Sequence, residues 1–183
     1  MINFYEITGE DSFLNDAKII VQKTWDLFYD KKNKILQKNL IEKNDLFVPP
    51  LDVNDSNIPN GNSIFLLNCK KLEAITNEDK WSNMAKDLAK SFHSYLNLQS
   101  TQMVSYIKNL DMCEELITFT FFGDINKIKE LHNYVKKNHL KFSTIIYKKD
   151  SKENYLIVCK NQTCSNKIKN IEELKIVKKN YAT

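Results

Sequence analysis

Thr8-Gly9-Glu10-Asp11-Ser12-Phe13 returns 68 positions later as Thr76-Asn77-Glu78-Asp79-Lys80-Trp81. The correspondence runs on. Phe13, Ala17, Ile20, Val21, Thr24 and Phe28 map onto Trp81, Ala85, Leu88, Ala89, Phe92 and Leu96. Both sets advance by 4, 3, 1, 3 and 4 residues, the spacing that keeps side chains on one face of a helix. Each helix follows a short polar turn, with Asp11 or Asp79 near its positive end. Upstream of each turn lies another apolar segment, Phe4 and Ile7 in the first copy, Leu72 and Ile75 in the second. The unit therefore reads as helix, tight turn, helix, an αα-hairpin present twice.

In the second copy the leading helix starts near Asn62 and Ser63 and passes through Ile64, Leu67 and Leu72 to Ile75. The matching start in the first copy falls before Met1. Hairpins of this kind bury their apolar stripe by stacking on neighbours, usually three or more. The repeat predicts a segment of a larger array of hairpins. The rival expectation is that the two hairpins and the C-terminal part close a compact core by themselves.

Between the hairpins, Tyr29 to Asn62 has a different character. Asp30 to Lys34 is a charged turn, Ile35-Leu36-Gln37 reads as a short strand, and Pro49-Pro50 halts regular structure because proline lacks the N–H donor. Asn62 or Ser63 suits the cap of the following helix, with Gly61 supplying a backbone conformation closed to other residues. A third helix is expected over Thr101 to Leu110, with Met103, Ile107 and Leu110 on one side. The pattern then turns strand-like. Leu116 to Phe122, Phe142 to Tyr147 and Tyr155 to Cys159 read as strands, Ile125 to Val135 and Ile171 to Val177 as helices. The fold class is α+β, with a helical segment over 1–112 and a small β-α-β-β-α module over 113–183. Gly123, between a strand and a helix, is a weak phosphate-turn signal because no G-x-G-x-x-G run accompanies it.

Composition bounds the function. The 183 residues are 42% hydrophobic and 27% charged, an ordinary globular balance. No apolar run approaches the ~18–20 residues that cross a bilayer, and the start lacks a basic then apolar leader, so a cytoplasmic protein without membrane attachment is expected. The 27 basic residues are all lysine against 23 acidic, a net +4. Without arginine the bidentate reading of phosphates and guanines is absent, and nucleic acid is not an expected partner. Cys69, Cys113, Cys159 and Cys164 are too scattered for a disulfide scaffold. Cys159 and Cys164 form a C-x4-C pair with no second pair or nearby histidine, so neither a metal nor another cofactor is expected. Small buried thiols in a reducing compartment are the expectation.

Three stretches carry a family resemblance. T-G-E-D-x-F-L-x-x-A at Thr8 to Ala17, D-x-x-x-P-x-G-N-S at Asp55 to Ser63, and Y-L-I-V-C-K-N-Q-T-C at Tyr155 to Cys164 resemble the last quarter of the thioredoxin-domain-containing proteins of the spermatogenesis-associated type. Asn60 stands where that family usually has serine. The resemblance implies a C-terminal fragment of a protein that joins a thioredoxin-like domain to an (α/α)6 six-hairpin barrel. It also implies kinship with six-hairpin glycosidases and N-acylglucosamine epimerases. Carbohydrate metabolism is the activity this points to, by fold analogy alone.

Residue chemistry offers few catalytic groups. A glycosidase needs two carboxyl groups across the scissile bond. Asp55 is the best single candidate, with Asp52 beside it and no second carboxylate evident in the segment. Asn62 and Ser63 are the candidate substrate-binding residues of the same loop. Epimerisation needs an acid and a base on opposite faces of a carbon, yet His93, His132 and His139 form no pair in the sequence. No cysteine sits where its thiol would be activated. Trp25, Phe28, Trp81 and Tyr95 recur at helical spacing and read as core. Two functions remain open. The first is a sugar-related segment contributing the Asp55–Ser63 loop to a small-molecule site. The second is a non-catalytic structural or interaction module that docks on the chain carrying the missing hairpins.

Overall fold

A computed structural model describes residues 1–39, 53–138, 142–161 and 163–181. Pro49-Pro50, Asp52 and His139 lie outside the described residues. Among the described residues there are seven α-helices and six short strands, an α+β chain. It divides into two compact units, Met1–Ile2 with Asp11–Cys113, and Asn3–Glu10 with Glu114–Thr183.

The first unit is helical. It contains α2 (Asp11–Phe28), α3 (Gly61–Thr76), α4 (Asp79–Gln99) and α5 (Val104–Glu114), with a two-stranded ribbon of β1 (Tyr29–Asp30) and β2 (Ile35–Leu36) after α2. The helices α3 and α4 fold back on each other across a two-residue turn. On α3 the expected Leu72 and Ile75 are buried, but Ile64 is 40% exposed and Leu67 only half-buried, and Phe65, Leu66 and Cys69 carry the packing in their place. Leu66, Cys69, Leu72 and Ile75 of α3 and Trp81, Ala85, Leu88 and Phe92 of α4, which packs on it, are all buried. Full burial of each large side chain contributes roughly 1.5–3 kcal/mol. The face of α2 is less complete. Ala17 and Val21 are buried, but Ile20 is 51% exposed although its repeat counterpart Leu88 is buried.

The start of α3 and the third helix depart from expectation. The N-cap of α3 is Asn60, not Asn62 or Ser63, because its side-chain oxygen accepts the Asn62 N–H at 2.8 Å. Gly61 does not need its glycine freedom: its φ is not left-handed and an added Cβ would meet nothing within 4 Å. The third helix begins at Val104: Met103 just before it is buried as expected, but Ile107 is exposed and Leu110 half-buried, and the helix buries Tyr106 and Asn109 instead. Tyr106 turns this face, since its ring lies 5.0 Å from that of Phe92 and its hydroxyl donates to the Ala89 carbonyl at 3.1 Å.

The second unit is built on a four-stranded sheet in the order β4-β3-β5-β6. Here β3 is Ile117–Phe122, β4 Ser143–Lys148, β5 Tyr155–Lys160 and β6 Thr163–Cys164. The β3–β4 pair is parallel and spans α6 (Lys129–Asn138), the crossover that a parallel pair requires. β5 runs antiparallel to β3, and β6 antiparallel to β5. The C-terminal helix is α7 (Ile171–Tyr181), anchored by fully buried Leu174. Phe119, Phe121, Leu156 and Val158 fill the core of the sheet.

The first helix, α1 (Ile2–Thr8), has its residues from Asn3 onward in this second unit. Phe4 and Ile7 were expected to face inward like their counterparts Leu72 and Ile75, but they are 56% and 54% exposed. Tyr5 is the inward residue instead. Its ring meets Tyr147 edge-on at 5.5 Å, and its hydroxyl oxygen accepts the Tyr147 N–H.

The expectation of free thiols fails for one pair. Cys159 and Cys164 form a disulfide, because the antiparallel register of β5 and β6 sets them directly opposite each other. The same bond removes them as a C-x4-C metal pair. Cys69 is a buried free thiol, as expected, and burial pushes its ionisation up.

Candidate functional site

Asp55, Asn60, Asn62 and Ser63 come together at the start of α3, and each has a defined partner. Asp55 Oδ1 accepts the Asn60 N–H at 2.8 Å and the Ser105 hydroxyl, while Oδ2 accepts the Ser105 N–H at 2.6 Å. A carboxylate at the first turn of α5 satisfies donors that the helix itself leaves open. Burial pushes the Asp55 carboxyl up. The Ser105 hydroxyl, the Ser105 N–H and the Asn60 N–H together outweigh it and hold the group below the usual carboxylate range.

Asn62 is buried and clamps β2. Its Oδ1 accepts the Leu36 N–H at 2.6 Å, and its Nδ2 donates to the Leu36 carbonyl at 3.0 Å. The carboxamide thus behaves as one more residue of a β-ladder. Ser63 is fully buried, its hydroxyl donating to the Asn60 carbonyl at 2.7 Å and lying 2.7 Å from the Ser105 hydroxyl. Asn109 of α5 donates to the Ser63 carbonyl at 3.0 Å. The residues singled out in the sequence therefore form a buried polar knot joining β2, α3, α5 and the segment before α3.

Beside this knot is a cleft of about 390 Å³. Phe28, Leu36 and Phe65 give it apolar walls, with Thr24, Asn54 and Asn62 as polar neighbours. Gln37 and Lys38 complete one side. Asp55 and Ser63 are not among its lining residues, and no carboxylate lines it among the described residues. Thr24 donates its hydroxyl to the Ile20 carbonyl at 2.8 Å. Asn54 Oδ1 is buried without a hydrogen-bond partner among the described residues, a state that native proteins rarely leave unexplained. Neither Asn54 nor Gln37 was picked out by sequence reasoning. Both lie outside the capping motif that drew attention to this loop.

The histidines remain apart. His93 is exposed on α4. His132 is buried in the second unit with its Nε2 2.8 Å from the Tyr147 hydroxyl, which itself donates to the Glu6 carbonyl at 2.7 Å. Burial, with a smaller contribution from Lys136, holds the His132 imidazole down at about 4. Trp81 is a fully buried core residue, whereas Phe28 lines the cleft. The turn at Gly123 does require glycine, with φ of 79° and an added Cβ only 2.5 Å from the Glu153 carbonyl oxygen. Its amides serve the fold: Gly123 N–H donates to the Lys148 carbonyl at 2.9 Å and Asp124 N–H to Asn154 Oδ1 at 2.7 Å.

No group of three or more His, Cys, Asp or Glu is placed to hold a metal among the described residues. No helix among them is long and apolar enough to cross a membrane. Comparison with models of protein families gives no match, and comparison with the curated proteins gives none.

Proposed function

We propose that the chain is the C-terminal segment of a thioredoxin-domain-containing, six-hairpin-glycosidase-like protein, and that its helical unit holds a small sugar-like molecule without transforming it. The observation that carries this reading is the 390 Å³ cleft against the loop that bears the family-like motif. Such a volume suits one small ring. Two phenyl walls accept the C–H face of a sugar, and the amides and hydroxyl around them suit its polar edge. Asp55 is not offered to a ligand in this cleft, because it does not line it. Its two oxygens are engaged by the Asn60 N–H and by the hydroxyl and N–H of Ser105. Saturation-transfer NMR with neutral mono- and disaccharides tests the reading. We expect contacts that vanish in Thr24→Trp, which fills the cleft from an α2 position. Absence of any contact across the panel sinks the ligand reading.

A second reading rests on a specific feature of α2. Ile19, Ile20 and Leu27 are each about half exposed, and residues seven and eight apart share a helix face. In this reading the stripe docks on the chain that carries further hairpins. Ile20→Lys then abolishes co-purification with that chain and leaves sugar contacts unchanged.

A further inference from the structure

The edge of the second unit's sheet is fastened in two different ways. At one end Leu156 and Ile168 exchange a pair of backbone hydrogen bonds, each 2.9 Å, and Ile168 is buried. At the other end the Cys159–Cys164 disulfide joins facing residues of β5 and β6, and β6 is only two residues long. Between these anchors Ser165 donates its N–H to the Val158 carbonyl at 2.8 Å and accepts the Val158 N–H on its hydroxyl at 3.1 Å. Cys164 is exposed, and Cys159 is half-buried. The same segment forms one wall of a groove of about 620 Å³ whose other wall is α7, where Ile176 is 66% exposed.

We propose that this disulfide is a thiol-exchange site, opened by a dithiol reductant that attacks Sγ of Cys164. Exchange needs an approach to one sulfur along the S–S axis, and exposed disulfides are the labile ones. Attack by one thiolate of the reductant forms a mixed disulfide on Cys164 and expels Cys159 as a thiolate, which takes a proton from water. The second thiol of the reductant then displaces Cys164. The reductant leaves as its own disulfide and the chain gains two thiols. Opening frees the Thr163–Ser165 end of the edge, while buried Ile168 keeps the other end in place. The wall of the groove thereby responds to the redox state of the surroundings: oxidising conditions close it, reducing conditions slacken it.

The test uses the full chain under native conditions. Native protein is incubated with or without dithiothreitol, quenched in acid, then denatured and alkylated. The chain has four cysteines, of which Cys69 and Cys113 are not part of the disulfide, so two alkylated sites are expected without reductant and four after it. Hydrogen exchange on the same samples reads the edge. On reduction the Ser165 amide loses protection by about tenfold or more, and Ile168 keeps its own. Cys159→Ser combined with Cys164→Ser exchanges like the reduced protein and ignores dithiothreitol. Three results overturn the proposal: four thiols before any reductant, two thiols still after native incubation, or four thiols with Ser165 protection unchanged. The reduced wild-type protein decides the matter even where the double variant does not fold.

Discussion

Gly9 and Asn77, equivalent positions of the two repeats, both take a left-handed backbone, with φ of 72° and 57°. Each donates its N–H at 2.8 Å to the carbonyl four residues earlier, Tyr5 or Glu73. The preceding threonines match as well. Thr8 and Thr76 donate their hydroxyls at 2.8 Å to Phe4 and Leu72, and accept the N–H of Glu10 and Glu78. One short sequence thus encodes one helix stop twice, in the αL form of C-cap. The two stops differ in what surrounds them. A Cβ at Gly9 would sit 3.4 Å from the Tyr147 ring, whereas asparagine already occupies the left-handed conformation at position 77. Gly9→Ala is expected to lower stability by about 1–2 kcal/mol. Asn77→Gly is expected to change it by less than about 1 kcal/mol. Urea unfolding of both variants checks the contrast, and equal losses would contradict it.

His132 makes stability depend on mild acid. Its imidazole is held at about 4 when folded, against about 6.5 in an unfolded chain. The unfolded chain therefore binds the proton first. The neutral ring contributes fully above the unfolded value, and that contribution is lost as pH falls from about 6.5 through about 4. With a shift of this size the loss is on the order of 3 kcal/mol. The urea midpoint is expected to fall between pH 7 and pH 4.5 in the wild type. His132→Gln, which keeps a polar group toward Tyr147 but does not titrate, is expected to start lower and remain nearly flat over that window.

Legibility followed the strength of periodic pattern. The seam of α3 and α4 was readable because Trp81, Ala85, Leu88 and Phe92 repeat at helical spacing and are all buried. The same logic failed on α1, where Phe4 and Ile7 carry the repeat but Tyr5 carries the packing. Helical spacing identifies a face only when the helix is long enough to have one, and α1 has seven residues. The cap of α3 lies two or three residues before the expected Asn62 or Ser63 because Asn60, Asn62 and Ser63 are all good capping types. Only three-dimensional partners decide among them, and Leu36 claims Asn62. The disulfide was hidden because β6 is too short to show alternation. The cleft draws residues from α2, β2 and the segment before α3, so no local pattern announces it.

Asp55 links acid sensitivity to the helix start at Ser105. Its folded ionisation lies below its unfolded value because the hydrogen bonds from Ser105 and Asn60 outweigh burial. The resulting stability is present above the unfolded value and is lost as pH falls through the folded one. Asp55→Asn places an amide N–H2 against one of these donors. It is expected to cost about 1–2 kcal/mol at pH 7, reduced by the group's partial exposure. The difference between variant and wild type is expected to shrink as pH is lowered below about 4. A difference independent of pH would show that the carboxylate charge has no part in the cap.

Asn62 offers the sharpest separation between a structural role and a ligand role. Among the described residues its carboxamide bonds only to the Leu36 backbone, and Asn62 and Leu36 are both buried. Asn62→Ala leaves the Leu36 N–H and carbonyl without acceptor and donor, at an expected cost of about 2–4 kcal/mol. Ser63→Ala removes a hydroxyl whose partners keep others: the Asn60 carbonyl accepts the Ile64 N–H, and the Ser105 hydroxyl donates to Asp55. About 1 kcal/mol is expected there. Asn62→Asp keeps the acceptor for the Leu36 N–H but opposes a carboxylate to the Leu36 carbonyl, so it is expected to rival alanine. Thermal or urea unfolding gives the order. An Asn62→Ala protein as stable as wild type, yet unable to contact sugars, would move Asn62 from the scaffold to the binding surface.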